Sequence, residues 1–207
     1  MKKAMTAVMA VFFLGLFASE AMAQQPSPWL VRVRAVHMNP ADKSDPVGGA
    51  GPSDRLTVSS KTIPELDISY FFSPNIAAEL ILSYSQKHDM MLDGTILGTF
   101  KHLPPTLLVQ YHFMPGAQFS PYLGAGVNYT NISSVHLLGG AATLERKSVG
   151  FALQAGLDYK MDKNWSLNFD IKKVHIGSDV FASGTGQKIS AVKVDPLLIG
   201  VGLGYRF

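Results

Sequence analysis

The chain has 207 residues, of which 47% are hydrophobic and 16% are charged, with a formal net charge of +3 and no cysteine. That length permits a single domain with one core, while the missing cysteine excludes a disulfide framework and cysteine-based metal or catalytic sites. The charge is small and no dense Lys/Arg run occurs, which argues against nucleic-acid binding. After residue 23 no apolar run is long enough to cross a bilayer as a helix, so a helical membrane protein is excluded.

The first 23 residues have the three regions of a secretory signal peptide. Lys2 and Lys3 precede an apolar run from Ala4 to Ala18, and Ala21-Met22-Ala23 is a small-x-small cleavage site. The alternative is a membrane anchor, but the run is short and no stop-transfer flank follows it. We therefore predict that residues 1–23 are removed and that residues 24–207 form the mature protein.

Alternating apolar and polar residues predict eight β-strands along the mature chain. Successive side chains of a strand point to opposite faces, so a strand between two different environments repeats every second residue. In the second strand, for example, Leu66 and Ile68 alternate with Glu65 and Asp67. The predicted strands cover residues 29–36, 62–72, 76–85, 106–113, 122–130, 148–159, 165–172 and 197–207, and the segments 37–60, 88–99, 131–146 and 175–191 are predicted as long loops.

The last strand is typical of the closing strand of an outer-membrane barrel. One of its faces is continuously apolar with aromatic residues at its end, and the other is small or charged. A terminal aromatic ring anchors well in a membrane interface while the carboxylate stays in water. The pattern also resembles the signal that the barrel-assembly machinery of outer membranes reads, here carried by Leu203, Tyr205 and Phe207.

Two regularities indicate a transmembrane barrel. The strand count is even, and the connections alternate long and short, as long external loops and short periplasmic turns do. Aromatic residues also cluster where strands meet the short turns, as an interfacial girdle requires: Tyr70, Phe72, Tyr111, Phe113, Tyr159, Trp165, Tyr205 and Phe207. A soluble eight-stranded barrel would reverse the alternation, which periodicity cannot detect. The polar face, however, is rich in Gly, Ser, Asn and Gln and poor in the Lys and Glu of a water-exposed surface.

Motifs along nearly the whole mature chain resemble the outer-membrane protein W family, which includes AlkL-type proteins. They include Trp29-Leu-Val-Arg-Val-Arg-Ala, Leu103-Pro-Pro-Thr-Leu, Pro121-Tyr-Leu-Gly-Ala-Gly-Val-Asn-Tyr and Gly204-Tyr-Arg-Phe, and they occur in order. The resemblance implies an eight-stranded antiparallel barrel in the bacterial outer membrane that passes small hydrophobic molecules, with release sideways into the bilayer. The loops match no pattern, so the identity of the solute does not carry over.

Nine charged side chains fall on the inward face of the predicted strands. Unpaired charges there would be costly, so we expect pairs such as Arg32 or Arg34 with Glu65 or Asp67 on the next strand. Eight strands leave an interior mostly filled by side chains, which favours a polar plug over an ion pathway. The nine are Arg32, Arg34, Glu65, Asp67, Glu79, Asp158, Asp170, Lys172 and Arg206.

The external segments carry more apolar residues than loops displayed to water require, which favours an apolar entry for a hydrophobic solute. Loops that dip into the membrane, or a receptor patch, would explain the same residues. They are Leu56, Val58, Met90, Met91, Leu92, Ile96, Leu97, Leu137, Leu138 and Phe181.

Two consecutive prolines, Pro104 and Pro105, predict an interruption in the barrel wall. They lack two backbone donors, so a regular ladder cannot continue on both sides of them. In lipid such a gap is tolerated only beside a cavity or water. We expect residues 103–106, Leu103 to Thr106, to border a lateral opening opposite Tyr84. The alternative is that the prolines only end the strand above the bilayer and oppose edge pairing.

The sequence therefore favours passive uptake of small hydrophobic solutes, with outer-membrane lipids as surroundings. A structural or surface-display barrel for adhesion, reception or stress response is the alternative. We predict no enzyme and no cofactor, because no nucleophile elbow or phosphate-binding glycine loop occurs. The six histidines also lack metal-ligand spacing: His37, His88, His102, His112, His136 and His175.

Overall fold

A computed structural model describes residues 27–207, so the predicted signal peptide lies outside the described residues. Within that range, no helix is long and apolar enough to cross a membrane. The fifteen strands of the described range are β1 (Trp29–Asn39), β2 (Lys43–Ser44), β3 (Leu56–Val58), β4 (Lys61–Phe71), β5 (Ile76–Leu82), β6 (Gln86–Leu92), β7 (Thr95–Leu103), β8 (Thr106–His112), β9 (Phe119–Leu137), β10 (Ala142–Leu144), β11 (Lys147–Lys160), β12 (Trp165–Val174), β13 (Gly177–Ala182), β14 (Lys188–Lys193) and β15 (Leu197–Arg206).

Eight of these strands close into an antiparallel barrel, which confirms the predicted fold class. The order around the wall is β1-β4-β5-β8-β9-β11-β12-β15, and β15 pairs with β1 to close it. Within this set of eight, each strand pairs with the one that precedes it and the one that follows it along the chain. All of these pairs are antiparallel. A closed barrel leaves no free edge, which is the condition for β-structure in lipid.

The outward face of the barrel is an apolar belt with an aromatic rim. Val33, Val109 and Val149 are 58%, 60% and 74% exposed, as side chains that face lipid should be. At the end with the short turns, aromatic rings meet edge to face, with centroids 4.9 Å apart for Trp29 and Tyr70 and 5.0 Å apart for Trp165 and Tyr205. This end is therefore the periplasmic rim.

The predicted long loops are wrong in detail, because the structure places a second tier of strands there. Residues 88–99 belong to the β6–β7 hairpin, and the predicted loop 131–146 contains the end of β9 and all of β10. The other two loops contain β2, β3, β13 and β14. Successive pairings run β3-β6-β7-β9-β10-β13-β14-β2, so these strands extend the wall outward from the membrane. Some of these strands, such as β10, pair with partners far apart in sequence, and the hairpin strands β6 and β7 have faces of mixed polarity, so local alternation did not reveal them.

Side chains close the remaining gap of this outer tier, between β2 and β3. Lys43 Nζ lies 2.7 Å from Asp54 Oδ2, and Asp54 Oδ1 accepts a hydrogen bond from the Ser44 backbone. The Leu56 backbone in turn donates to Ser44 Oγ at 3.1 Å. The hydrogen bond from Lys43 holds the pKa of Asp54 below its usual range.

The interior is divided into two layers. Buried apolar side chains fill the outer part, including Met38 on β1, Leu56 on β3 and Met90 on β6. Below them, toward the periplasmic rim, lie buried charged and amide side chains such as Arg32 and Gln110. A solute that enters from outside would thus meet apolar surface first and charge second.

Candidate functional site

The lower layer is a network of buried ion pairs centred on two arginines of β1. Arg32 reaches across the lumen and holds Asp158 with two hydrogen bonds, 2.7 Å to Oδ2 and 3.2 Å to Oδ1. Its third nitrogen donates to Glu79 Oε1 at 3.0 Å. Forked pairing of this kind is the strong form of an arginine–carboxylate interaction.

Arg34 sits one step closer to the outside and joins further carboxylates. Its Nε donates to Asp67 Oδ2 at 2.5 Å, its Nη2 donates to Glu79 Oε1 at 2.7 Å, and its Nη1 lies 2.8 Å from Asp170 Oδ1. Lys172 then links Glu65 at 2.6 Å to Asp170 at 2.8 Å. Arg34 thus pairs with neighbours on β4, as expected, whereas Arg32 pairs with strands farther around the wall.

Arg206 faces the periplasmic end but does not join the network. Its guanidinium lies 4.2 Å from the ring centroid of Phe71, and its Nε donates to the Ser27 carbonyl. Beside it a cavity of about 50 Å³ opens at the periplasmic rim, lined also by Leu30 and His112. This volume is far below the roughly 300–1,000 Å³ of sites that hold small organic ligands.

Tyr122 completes the plug by lying across the lumen. Its hydroxyl donates to Asp170 Oδ2 at 3.1 Å and accepts from Asn168 at 3.0 Å. A Cβ at Gly156 would stand 2.2 Å from the Tyr122 ring, so only glycine leaves room for the ring there. The Tyr122 ring therefore packs closely against the barrel wall at this level of the lumen.

The predicted entry residues divide into three groups. Leu56, Val58, Met90 and Leu137 are buried members of the outer apolar layer, and Leu92 and Leu97 pack against it. Met91 and Phe181 are half-buried outside that cluster. Ile96 and Leu138 are 62% and 52% exposed on the outer tier. The structure thus brings the first six together and leaves the other four apart.

The barrel wall is interrupted at the predicted seam. The β5–β8 ladder ends at Ile81 opposite Thr106, and pairing resumes on β6 and β7 at Gln86 opposite His102. Residues 82–85 thus stand opposite residues 103–105, and the register slips by one across the gap. Such a bulge disrupts the ladder and bends the strand.

At the prolines, hydrogen bonds are missing on only one side of the chain. On their β9 side, the Tyr129 backbone donates to the Pro105 carbonyl at 3.1 Å. Asn128 Nδ2 also donates to the carbonyls of Pro104 and Pro105 and to Thr106 Oγ1. The wall is therefore closed toward β9, and its free side faces residues 83–85.

Sequence reasoning missed that residues 83–85 also lack a strand partner on their other side. The β4–β5 ladder stops at Leu66 opposite Leu82, and β4 continues outward past Pro64 beside the gap. A third proline thus flanks the same short segment, and Tyr84 within it is 55% exposed. The signal was present, since Pro64 also lacks a backbone donor. We define the seam as residues 82–86 with Leu103, Pro104, Pro105 and Thr106.

Polar side chains line the inner face of the seam. The rings of His88 and His102 are stacked with centroids 4.7 Å apart. Burial, followed by the nearby charges of His88 and Lys61, lowers the pKa of His102 to about 3, and burial also lowers the pKa of His88. Both rings are therefore neutral at neutral pH.

Among residues 27–207 no group of three or more His, Cys, Asp or Glu side chains is arranged to hold a metal ion. His112 Nε2 lies 3.3 Å from Gln110 Oε1, and its ring is stacked on that of Tyr122. These contacts belong to the packing of the plug.

Comparison with known proteins assigns the family. The sequence model described as the OmpW family matches residues 27–207. The chain belongs to the OmpW family. Among its relatives, this OmpW-family chain is 43% identical to an uncharacterized outer-membrane protein, y4mB, of Sinorhizobium fredii over 92% of the chain and 84% of the relative. It is 31% identical to outer membrane protein W of Vibrio cholerae over 93% and 94%.

A solved structure agrees with this assignment. The crystal structure of the outer membrane protein OprG from Pseudomonas aeruginosa superimposes with a TM-score of 0.77 at 28% identity, covering 88% of this chain and 97% of OprG. Together with the barrel itself, these relatives place the OmpW-family chain in the bacterial outer membrane.

Proposed function

We propose that this protein is a passive channel for small hydrophobic solutes, which enter through the apolar outer layer and leave sideways through the seam into the bilayer. The observation that carries the proposal is the interrupted wall directly above a packed, charged plug. An axial route would need the ion pairs of Arg32 and Arg34 to open, and the interior tolerates these buried charges only while they are paired. A lateral route at the gap breaks no strand ladder.

The chemistry of the two layers favours an apolar solute. The outer layer offers the solute hydrophobic side chains, and burial of apolar surface contributes about 25 cal/mol per Å². Below the seam, the inward positions of β5 and β8 are first the apolar Ile81 and Leu108, followed by Glu79 and Gln110, which an apolar molecule would leave without hydrogen bonds. The solute is therefore held at the level where the wall is interrupted.

A second candidate is a surface-display barrel without transport. Ile96 and Leu138 are exposed on the outer tier, where a receptor or adhesion partner could cover them. Replacing both with serine would remove that surface while leaving the seam and the lumen unchanged. Loss of adhesion with normal uptake would favour display as a separate role.

The test of transport restores backbone donors at the seam. The variant Pro104→Val with Pro105→Thr should allow the ladder to continue and should reduce uptake of a panel of apolar solutes by cells. Pro52→Thr, in an exposed external segment, is the matched control and should take up solutes at the original rate. If the seam variant folds normally and uptake keeps its original rate, the lateral route is wrong.

A further inference from the structure

Two buried acceptor atoms on the inner face of β6 have no hydrogen-bond partner among residues 27–207: Gln86 Oε1 and His88 Nε2. Both side chains are almost fully buried, at 0% and 1% exposure. They lie two positions apart on one face of the strand, immediately after the unpaired residues 83–85. They therefore border the seam.

The contacts of the two side chains define both free atoms as acceptors. Gln86 Nε2 donates to the Tyr84 carbonyl at 3.0 Å, which leaves the amide oxygen as the free end. His88 Nδ1 lies 2.9 Å from the Ser59 carbonyl, which can only accept, so the ring proton is on Nδ1. His88 Nε2 then presents a lone pair, and each free atom needs a donor.

We propose that the seam contains a polar subsite, formed by Gln86 Oε1 and His88 Nε2, that binds the hydroxyl group of an otherwise apolar alcohol or phenol, whose single proton is donated to His88 Nε2 with Gln86 Oε1 beside it as a second acceptor. The inference rests on the proposed transport function, since a solute reaches these atoms by way of the outer layer and the seam. The neighbouring buried side chains Met90 and Phe100 supply apolar contact for the rest of the molecule. Satisfying one buried acceptor corresponds to about a tenfold gain in affinity.

The subsite also gives the solute an orientation. Its hydroxyl group is held beside residues 83–85, while its apolar part remains in the outer layer. Release into the bilayer exchanges this donated hydrogen bond for those of the lipid interface. The protein would thus select amphiphilic solutes over hydrocarbons of the same size.

The probes are 2-naphthol and 2-methoxynaphthalene, which share one ring system and differ in the donor. Binding to the folded protein is measured for the wild type, for Gln86→Leu with His88→Leu, and for His136→Leu as the control in an exposed position of the outer tier. We expect the wild type and the control to prefer 2-naphthol by about tenfold or more, and the double variant to lose that preference. In the wild type, the ¹⁵N resonance of His88 Nε2 should move on addition of 2-naphthol and stay in place with the ether.

An Nε2 resonance that does not move at saturating 2-naphthol overturns the subsite, whether or not the variants fold. Equal preference for 2-naphthol in the wild type and a folded double variant overturns it as well. Uptake of the same two probes into vesicles separates the two proposals. Passage of both probes at equal rates with an unmoved resonance refutes the subsite and leaves transport intact, whereas binding with no passage of either probe refutes transport.

Discussion

Arg32 shows how the buried charges of the lumen are paired. The side chain is fully buried and joins Asp158 on β11 to Glu79 on β5, with Ser69 as a further acceptor. Three strands of the wall are thereby tied through one guanidinium. A charge with satisfied partners is tolerated in the interior, whereas the same charge alone is expensive.

The Arg32–Asp158 pair should therefore be strongly coupled. Arg32→Met or Asp158→Leu alone should each lower the free energy of unfolding by about 3–5 kcal/mol, because each leaves a buried charge without its partner. The double variant should lose less than the sum of the two. Urea unfolding of the four proteins in lipid vesicles measures this, and strictly additive losses would contradict the ion-pair account.

His102 gives the outer tier a dependence on pH. Its pKa in the folded protein is about 3, well below its ordinary value of 6.5, because burial and the facing groups His88 and Lys61 disfavour the charged ring. Between pH 3 and pH 6.5, His102 binds a proton when the β6–β7 hairpin is open but not when it is closed. The stability contributed by the neutral ring is thus present above pH 6.5 and is lost as the pH falls toward 3.

We expect opening of the β6–β7 hairpin to become easier as the pH falls from 7.5 to 4.5, by up to about 1.4 kcal/mol per unit below pH 6.5. Hydrogen exchange of the hairpin amides against those of β12 measures the opening free energy. His102→Phe should flatten the dependence, although His88 retains a smaller one of the same sign. An identical opening free energy at both pH values in the wild type would show that the buried ring does not control the hairpin.

At the scale of single elements, β15 is the strand whose orientation the account relies on most. It pairs with both β1 and β12, and Leu203 on its outer face is 47% exposed toward lipid. Beyond it, the ring of Tyr205 contacts those of Trp165 and Phe207 at the periplasmic rim. The assembly role of Leu203, Tyr205 and Phe207 remains a prediction.

Leu203→Arg should block assembly, because a cation on the lipid face of a barrel strand is destabilising, by up to about 2–4 kcal/mol at the bilayer midplane. Deletion of Phe207 should act similarly. The amount of folded barrel is read from its heat-modifiable migration on a gel. Ile96→Arg, at an apolar and more exposed position on the outer tier, is the control and should fold normally; folded barrel at normal levels in Leu203→Arg would remove the basis for the orientation.

The barrel strands were predictable from the sequence, and the outer tier was only partly so. Lipid outside and charge inside force a strict alternation on β1, β4 and β15, which makes such strands visible locally. The β6–β7 hairpin carried a readable Asp93-Gly94 turn, but both faces of its strands are of mixed polarity. Strands such as β10 depend on partners elsewhere in the chain and left no local signal.

The candidate site likewise contains some contacts that the sequence predicts and others that it does not. Arg34 and Asp67 lie near each other on adjacent strands, so their pairing could be expected from alternation alone. Arg32 and Asp158 meet across the lumen from positions 126 residues apart, and no local pattern reports such a contact. Pro104 and Pro105 predicted the seam from the sequence. That residues 83–85 also lack a partner on the side of Pro64 is evident only from the structure, where β4 and β5 separate.

At the scale of the whole molecule, the two layers and the seam form one route. The outer tier extends the wall beyond the membrane and encloses an apolar interior, the buried ion pairs lie below it, and residues 82–86 lie at the level between them. Each part alone has a structural explanation. The position of the seam between the two layers is what favours lateral passage.

The most direct test closes the seam with a disulfide crosslink. Because the chain has no cysteine, Tyr84→Cys with Leu103→Cys introduces one reducible crosslink across the gap and keeps both prolines. Ala78→Cys with Val109→Cys, which are partners in the regular part of the same β5–β8 ladder, is the control. Uptake of 2-methoxynaphthalene into vesicles should be lost in the oxidised seam variant, return on reduction, and stay constant in the control; full uptake through a completely crosslinked seam would contradict lateral release.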